Sequence, residues 1–362
     1  MTKILMTSVR PDEQAAIDNF AEQHQVDIFT TAKPFLSQEV VDMTKDVDGL
    51  VIQQHAAVPD DALKQIAANG LKQIATRTAG VDTINVDLAH QLNLKVTNVP
   101  AYSPRSVAEF ALMQIFRLLR KTYAFDQRVA NDDFLWAGLQ AVEIHSATIG
   151  IIGVGRIGGT LAQLLHALNA RVLGFDVKPR TDLDGIVEYV SKEDLLKQSD
   201  VVSLHVDLNP TSQGLLTAKD FKLMKPTAGL VNASRGPVVV TKDLVAALQH
   251  HELAAAALDT VEGEEHAFNQ DLREKGLDDL PLIKQLHDMD NVILTPHIAF
   301  FTNIAVQNMV DISLTDVLNI LAGEGSDHEI WVIAINNFTL VTFQRRVFFY
   351  GPIHVKVSLL KL

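Results

Sequence analysis

Two spacings of apolar residues alternate along most of the chain. Short, mostly apolar runs are typical of buried parallel strands, and they are separated by stretches in which apolar residues recur at every third or fourth position, as in helices. The alternation predicts an α/β protein with parallel sheets. The runs predicted as strands are KILMTSV, VDIFT, GLVIQ, KQIATR and KVTNV in a first series, and ATIGIIG, ARVLGFD, VVSLHV, AGLVNAS, AAALDTV and NVILTPH in a second.

A long helix is predicted between the two series of strands, over residues 103–125. Ser103 is a favourable N-cap, and Pro104 suits the first helical position. Further helices are predicted where helical spacing returns, in DEQAAIDNFAEQH, RIGGTLAQLLHALN, SKEDLLKQS, TKDLVAALQHH and FTNIAVQNMVDISLTDVLNILAG. The alternation stops after Glu329, and the residues that follow form an atypical tail without Asp or Glu.

The composition narrows the class of protein. The chain has 362 residues, enough for two domains, and 47% of them are hydrophobic. Its formal net charge of −13 disfavours binding to nucleic acid. Without cysteine there can be no disulfide and no thiolate-bound metal, and we predict no metal site. Since it has no signal-peptide pattern and no run of 18 apolar residues, we expect a soluble cytoplasmic protein with no membrane partner.

A glycine motif, Gly-x-Gly-x-x-Gly, lies between a predicted strand and a predicted helix. Gly153 permits the tight turn, Gly155 lets the backbone approach a pyrophosphate, and Gly158 lets the helix pack on the strand. The next predicted strand ends in Asp176, 18 residues after Gly158. A carboxylate there binds the ribose hydroxyls of NAD and repels the 2′-phosphate of NADP. The motif therefore predicts an NAD site, although the basic residues that follow Asp176 could soften that repulsion.

Three ionisable residues follow predicted strands, at the edge where open α/β sheets bind ligands. They are Arg235 after AGLVNAS, Glu264 after AAALDTV and His297 after NVILTP. Arginine binds carboxylates through its planar fork, histidine donates protons near neutral pH, and a carboxylate beside the ring orients it. Together they predict reduction of a keto group, although Glu262 and Glu265 are close enough in sequence to replace Glu264.

Several blocks of the chain resemble those of the D-isomer-specific 2-hydroxyacid dehydrogenases, from about residue 1 to 330. The blocks are VPAYSPRSVAEFAL, GIIGVGRIG, VSLHV, LMKPTAGLVNASRG, ALDTVEGEE and ILTPHIAFFT. The resemblance extends to the bacterial D-lactate and D-2-hydroxyisocaproate types. It implies an NAD-dependent homodimeric enzyme that reduces 2-keto acids to D-2-hydroxy acids, with Arg235, Glu264 and His297 as catalytic residues.

The resemblance also implies the residues that bind cofactor and substrate. The cofactor-binding residues are Gly153, Gly155, Arg156, Ile157, Gly158, Asp176, His205 and Asp259. The substrate-binding residues are Ile52, Thr78, Ala79, Gly80, Tyr102 and Phe300, and the turn that begins at Thr78 offers backbone N–H groups to the substrate carboxylate. Lactate-type relatives tend to carry an aromatic residue at the position of Ile52. The smaller side chain therefore predicts a longer apolar pocket, provided that the strand is not shifted by one residue.

The family fold implies two doubly wound parallel-sheet domains, one of them discontinuous. We expect the substrate domain to span 1–100 and 300–330, the Rossmann domain to span 101–299, and the tail at 331–362 to lie outside both. An NADH-responsive corepressor-type binding protein on the same fold is the alternative, and the acidic charge argues against it. Formate dehydrogenases pair their histidine with glutamine, so Glu264 argues against that activity.

Overall fold

The computed structural model describes residues 1–53, 56–335 and 338–343. The chain divides into two compact units. The first consists of residues 1–100 and the described residues from Met309 onward, and the second of Ala101–Asn308. Each unit contains a parallel sheet with flanking helices, so the predicted α/β class with two parallel-sheet domains is confirmed.

Five parallel strands form the sheet of the first unit. They are β1 (Lys3–Met6), β2 (Asp27–Thr30), β3 (Gly49–Ile52), β4 (Gln73–Thr76) and β5 (Lys95–Thr97), and the helices beside them are α1 (Gln14–His24), α2 (Gln38–Asp42), α3 (Asp60–Ala68) and α4 (Val86–Gln91). The strand order is β2-β1-β3-β4-β5. The order reverses between β1 and β3, and in open α/β sheets such a point is where ligands bind.

Seven parallel strands form the sheet of the second unit. They are β6 (Thr148–Ile152), β7 (Arg171–Phe175), β8 (Glu188–Tyr189), β9 (Val201–Leu204), β10 (Gly229–Asn232), β11 (Ala255–Leu258) and β12 (Val292–Leu294). Their order is β12-β11-β10-β9-β6-β7-β8, which reverses between β6 and β9. The helices of this unit are α5 (Pro104–Leu119), α6 (Thr122–Ala130), α7 (Arg156–Ala167), α8 (Lys192–Gln198), α9 (Ala218–Phe221), α10 (Thr241–Gln249) and α11 (Pro281–His287).

The central strands are buried on both faces, which explains their continuous apolar runs. All four residues of β3, β4, β9, β10 and β11 are buried. Parallel sheets covered by helices on both sides have this pattern, whereas a half-exposed strand would alternate. Every run predicted as a strand contains a strand in the structure.

The predicted helix over 103–125 is wrong in its length. It ends at Leu119, and α6 begins at Thr122. The break occurs because Lys121 adopts a left-handed backbone conformation, with φ +55°, which an α-helix does not accommodate. Helical spacing of the apolar residues continues across the break, so the sequence pattern gave no sign of it.

The last described helix is α12 (Asn303–Leu321), followed by the antiparallel strands β13 (Trp331–Ile335) and β14 (Phe338–Phe343). By length and composition α12 could cross a membrane, but half of its apolar window is buried inside the protein. Val310, Leu314 and Val317 pack in the core of the first unit with residues of β1, which accounts for its apolar character. The predicted tail beyond residue 343 lies outside the described residues.

Candidate active site

The glycine loop lies between β6 and α7, where the strand order of the second unit reverses. Gly153 has φ +91°, and a Cβ at this position would lie 2.6 Å from the carbonyl oxygen of His205. A Cβ at Gly158 would collide with the carbonyl oxygen of Gly153, whereas a Cβ at Gly155 would meet no atom within 4 Å. The open space at Gly155, at the beginning of α7, fits the approach of a phosphate to the backbone.

Asp176 follows β7 and lies beside this loop. Its carboxylate accepts a hydrogen bond from the backbone N–H of Val154 at 2.6 Å. The guanidinium of Arg180 donates to the carbonyl oxygen of Gly155 at 2.7 Å and pairs with Asp182. Arg180 is thus fixed against the glycine loop and is not a loose charge in solvent.

The other residues of the second unit that are predicted to bind the cofactor follow strands at the same edge of its sheet. Arg156 is exposed and Ile157 half-buried in the first turn of α7. His205 follows β9, with its Nε2 2.8 Å from the hydroxyl of Ser203, and its Nδ1 is buried without a partner among the described residues. Burial lowers the pKa of His205 to about 4, so the ring is neutral at pH 7. These residues fit a dinucleotide, with a carboxylate for the ribose and a glycine cradle for the phosphates.

Arg235 lies in the loop after β10, and this loop is fixed from both sides. The side-chain amide of Asn232 donates to the carbonyl oxygen of Arg235 at 3.1 Å. A Cβ at Gly236 would collide with the backbone of Val261. The Arg235 loop therefore packs directly against the loop that leads to Glu264.

Glu264 and His297 form a hydrogen-bonded pair. Oε1 of Glu264 is 2.6 Å from Nδ1 of His297, and the two side chains are 16% and 22% exposed. The other carboxylate oxygen of Glu264 accepts from the N–H of Val261 at 2.9 Å. Glu262 instead accepts from the N–H of Thr241, at the beginning of α10. Of the acidic residues close in sequence, the structure thus brings Glu264 to the histidine.

The loop from Thr295 to Ala299 holds His297 in a left-handed conformation, with φ +53°. Asp259, which is 2% exposed, accepts from the Thr295 hydroxyl at 2.6 Å, from the Ile298 N–H at 3.0 Å and from the Ala299 N–H at 2.9 Å. Three bonds to one buried carboxylate can hold a backbone conformation that is unfavourable by itself. Sequence reasoning missed this role of Asp259, and its predicted contact with the cofactor stays a prediction.

Two aromatic residues predicted to bind substrate lie close to the histidine. The ring of Phe300 is 6.3 Å from that of Tyr102 and 6.5 Å from that of His297, edge to face in both pairs. Burial raises the pKa of Tyr102, and the positive charge of Arg235 opposes this rise. The second unit therefore brings together the three predicted catalytic residues and two of the predicted substrate residues.

The predicted carboxylate-binding turn lies in the first unit, after β4. Its carbonyl oxygens are occupied: Thr78 accepts from the N–H of Val99, Ala79 from the amide of Asn98, and Gly80 from the hydroxyl of Thr78. The N–H groups of Ala79 and Gly80 donate to none of the residues that the structure describes. A turn with its carbonyls bonded and its N–H groups unpaired has the polarity of an anion site.

Ile52 is completely buried in the core of the first unit, together with Leu50 and Ile74. Its side chain has no accessible surface in the described structure, and its predicted contact with the substrate side chain stays a prediction. Gln53, the next residue, accepts hydrogen bonds from Arg10 and Arg77. Among the described residues, no group of three His, Asp or Glu side chains could hold a metal ion.

Comparisons with known proteins agree with this geometry. The model of the "D-isomer specific 2-hydroxyacid dehydrogenase, NAD binding domain" matches residues 112–299. A D-lactate dehydrogenase of Staphylococcus aureus is 37% identical over 322 residues, which cover 89% of this chain and 97% of that protein. A D-2-hydroxyacid dehydrogenase (NAD(+)) of Clostridioides difficile is 39% identical over 325 residues, covering 88% and 97%.

A solved structure of a D-lactate dehydrogenase from Sporolactobacillus sp. is 51% identical, with a TM-score of 0.79 over 91% of this chain and 98% of that one. The chain therefore belongs to the D-isomer specific 2-hydroxyacid dehydrogenase family and is an NAD-dependent oxidoreductase.

Proposed function

We propose that this protein reduces 2-keto acids to D-2-hydroxy acids, with Arg235, Glu264 and His297 as its catalytic residues. The observation that carries the proposal is the 2.6 Å hydrogen bond between Nδ1 of His297 and Glu264, in the unit that contains the glycine loop. When bound, the reduced nicotinamide supplies the hydride for C2 of the substrate. Gly153, Gly155, Gly158 and Asp176 would hold the dinucleotide.

His297 supplies the proton that completes the reduction. Its Nδ1 faces the Glu264 carboxylate, so a proton for the substrate oxygen comes from Nε2. The carboxylate keeps the ring in one orientation. The guanidinium of Arg235 binds the carboxylate end of the substrate and polarises the carbonyl.

In the first unit, the N–H groups of Ala79 and Gly80 are the proposed site for a carboxylate. Supporting this, both are unpaired within the described residues, while the carbonyl oxygens of the same turn are bonded. Adjacent unpaired backbone N–H groups can bind a carboxylate without any side-chain charge. Tyr102 and Phe300 are the proposed apolar contacts of the substrate side chain.

The reaction is tested with purified protein, NADH and a panel of 2-keto acids that includes pyruvate, 2-ketoisocaproate and phenylpyruvate. We expect NADH consumption, with the D-hydroxy acid as product by chiral chromatography. Pyruvate is included because it is the keto acid that corresponds to lactate, and several relatives are named D-lactate dehydrogenases. No NADH consumption with any member of the panel would contradict the proposal.

The proton donor is tested by His297→Gln. We expect turnover to fall by about 10²–10⁴-fold, the usual contribution of general acid catalysis, with NADH binding by fluorescence titration nearly unchanged. His287→Gln is the matched control, because His287 is an exposed histidine of the same unit that contacts Asp288. Turnover in His297→Gln equal to that of the control would remove His297 from the mechanism.

We also propose that the protein is a homodimer, with an interface at an exposed apolar patch formed by Phe134, Leu135 and Trp136. These side chains are 73%, 71% and 85% exposed. Arg128 donates to the carbonyl oxygen of Leu135, which fixes the backbone of the segment. Exposed apolar patches of this kind mark interfaces.

A second copy of the chain is the proposed partner. The same surface contains the exposed ring of Trp136 and a cavity of about 290 Å³, which is lined by Trp136 itself and by Arg128, Val129 and Asp133 among others. A surface with a cavity beside an exposed aromatic ring, and with charges of both signs, can be complementary to itself across a two-fold axis.

We propose the cytoplasm as the location, which cell fractionation would test.

A further inference from the structure

The largest completely buried side chain of the described residues is a charged one, Arg77. Arg77 follows β4 and directly precedes the turn Thr78–Gly80. Its Nη2 donates to the carbonyl oxygen of Thr7 at 3.0 Å and to that of Ser8 at 3.1 Å. Both acceptors lie just after β1, so the guanidinium joins the ends of two strands that are not neighbours in the sheet.

Glu13 is the negative partner of Arg77 and is equally buried. Nε of Arg77 is 3.2 Å from Oε1 of Glu13, and both side chains have 0% exposure. The other oxygen of Glu13 accepts from the backbone N–H of Arg10 at 2.8 Å. Oε1 of Gln53, after β3, accepts from Nη2 of Arg77 at 3.2 Å and from Nη1 of Arg10 at 2.8 Å. The carboxyl ends of β1, β3 and β4 are therefore joined by one polar cluster, at the point where the strand order reverses.

Arg77 keeps its positive charge at neutral pH. Burial lowers the pKa of Arg77 to about 10, which still leaves the guanidinium protonated at pH 7. Nη1 of Arg77 is buried and has no hydrogen-bond partner in the described part of the chain. A buried ion pair is commonly no more stabilising than apolar residues of the same volume. Stability alone therefore does not account for placing this cluster at a strand end.

We propose that Arg77, paired with Glu13, positions the turn Thr78–Gly80 and makes it selective for the carboxylate of the substrate. The inference rests on the proposed function, because it takes the N–H groups of Ala79 and Gly80 as the carboxylate site. The bonds of Arg77 to groups after β1 and β3 fix the backbone from which the turn starts. Arg77 stands two residues before Ala79 and three before Gly80, and its positive charge, which Glu13 offsets only in part, adds attraction for an anion at their N–H groups.

The test compares a charged substrate with a neutral one of the same shape. For each variant, kcat/KM is measured with a 2-keto acid that the wild type reduces and with the corresponding 2-keto amide. The acid-to-amide ratio isolates recognition of the carboxylate charge, because folding defects and defects in proton donation lower both values together. If the wild type reduces no keto acid, the proposed function itself is wrong. This result differs from an unchanged acid-to-amide ratio in the variants, which would contradict only the role of Arg77.

We expect Arg77→Met with Glu13→Gln, a double variant that leaves no unpaired buried charge, to lower the acid-to-amide ratio about tenfold, or ~1.4 kcal/mol of binding free energy. The change appears as a higher KM for the acid with kcat nearly retained. Arg77→Lys keeps a charge and should restore part of the ratio. An unchanged ratio in the double variant overturns the proposal.

Glu13→Gln alone should change the acid-to-amide ratio in the opposite direction. Gln can still accept the hydrogen bond from Arg10, but the positive charge of Arg77 is no longer partly offset, so the ratio should rise above that of the wild type. Glu329→Gln is the matched control, since Glu329 is a buried carboxylate of the same unit paired with Lys95, and it should leave the ratio unchanged. If the double variant does not fold, a ratio in Glu13→Gln equal to or below that of the control overturns the proposal.

Discussion

At the scale of single residues, burial decides what a side chain can do in this protein. His205 and His297 both follow strands of the second unit, but their surroundings differ. His205 has a hydroxyl beside one nitrogen and a buried, unpaired second nitrogen, whereas His297 faces a carboxylate. The first is held neutral, and the second is the proposed proton donor.

The neutral state of His205 predicts a loss of stability in acid. Its folded pKa of about 4 lies below the ordinary value of 6.5, so below pH 6.5 the unfolded chain takes up a proton that the folded chain does not. His205 therefore does not reduce the free energy of unfolding above pH 6.5. As pH falls from 6.5 toward 4, it lowers the free energy of unfolding by at most roughly 3 kcal/mol.

His205→Gln should therefore lose less stability than the wild type between pH 7 and pH 4.5, as measured by urea unfolding at each pH. The other titrating groups are common to both proteins and cancel in the comparison. Parallel pH profiles of the free energy of unfolding for the two proteins would be evidence that His205 takes up its proton in the folded state.

Two glycines of the same loop predict separable defects. Gly158→Ala places a Cβ against the carbonyl oxygen of Gly153, and we expect it to lower the free energy of unfolding by about 1–3 kcal/mol. Gly155→Ala adds its methyl group in open space, so stability should change little while NADH binding weakens. Thermal unfolding and fluorescence titration measure the two effects. Equal NADH affinity in Gly155→Ala and the wild type would place the phosphates elsewhere.

At the scale of elements, β4 combines a structural and a functional task. All four of its residues are buried, and two of them, Gln73 and Thr76, are polar. The strand leads directly into Arg77 and the proposed carboxylate-binding turn. A polar residue inside a completely buried strand needs partners, because an unpaired buried amide is destabilising.

Gln73→Met is predicted to stabilise the protein. Neither amide atom of Gln73 has a hydrogen-bond partner in the part of the chain that the structure describes, so a methionine of similar volume should raise the free energy of unfolding by about 1–3 kcal/mol. Gln114→Met is the control, because Gln114 is also buried but accepts a hydrogen bond from Arg117. Urea unfolding measures both variants, and a gain at Gln114 as large as at Gln73 would contradict the argument.

At the scale of the whole molecule, surface rather than core determines association. The net charge of −13 keeps copies of the chain apart at long range, so a stable dimer needs a localised apolar contact. Among the described residues, Phe134, Leu135 and Trp136 are three consecutive large apolar residues whose side chains are all exposed.

Trp136→Glu should therefore weaken the proposed dimer. A buried tryptophan at an interface commonly contributes 2 kcal/mol or more, so we expect the dimer dissociation constant to rise by at least roughly 30-fold. Sedimentation velocity at several protein concentrations measures it. Ile304→Glu, at an exposed apolar residue outside the patch, should leave association unchanged. If the dimer dissociation constant of Trp136→Glu equals that of the wild type, the interface does not include Trp136.

The sequence by itself determined the α/β class, the strand positions and the glycine loop. Buried parallel strands need continuous apolar runs, and a tight turn before a helix needs glycine. Both features can therefore be predicted from short stretches of the sequence. The positions of Arg235, Glu264 and His297 after strands followed from the same pattern, because the carboxyl ends of parallel strands share one edge of a sheet.

Only the tertiary structure decided which side chains meet. Glu264 rather than Glu262 faces His297, Asp259 holds the loop of His297, Arg77 pairs with Glu13, and Ile52 lies in the core. These contacts join residues that are far apart in the chain, or they depend on which face of a strand is turned inward. Apolar spacing records that a residue is buried but not against what, since strand order and backbone conformation are settled by packing of the whole unit.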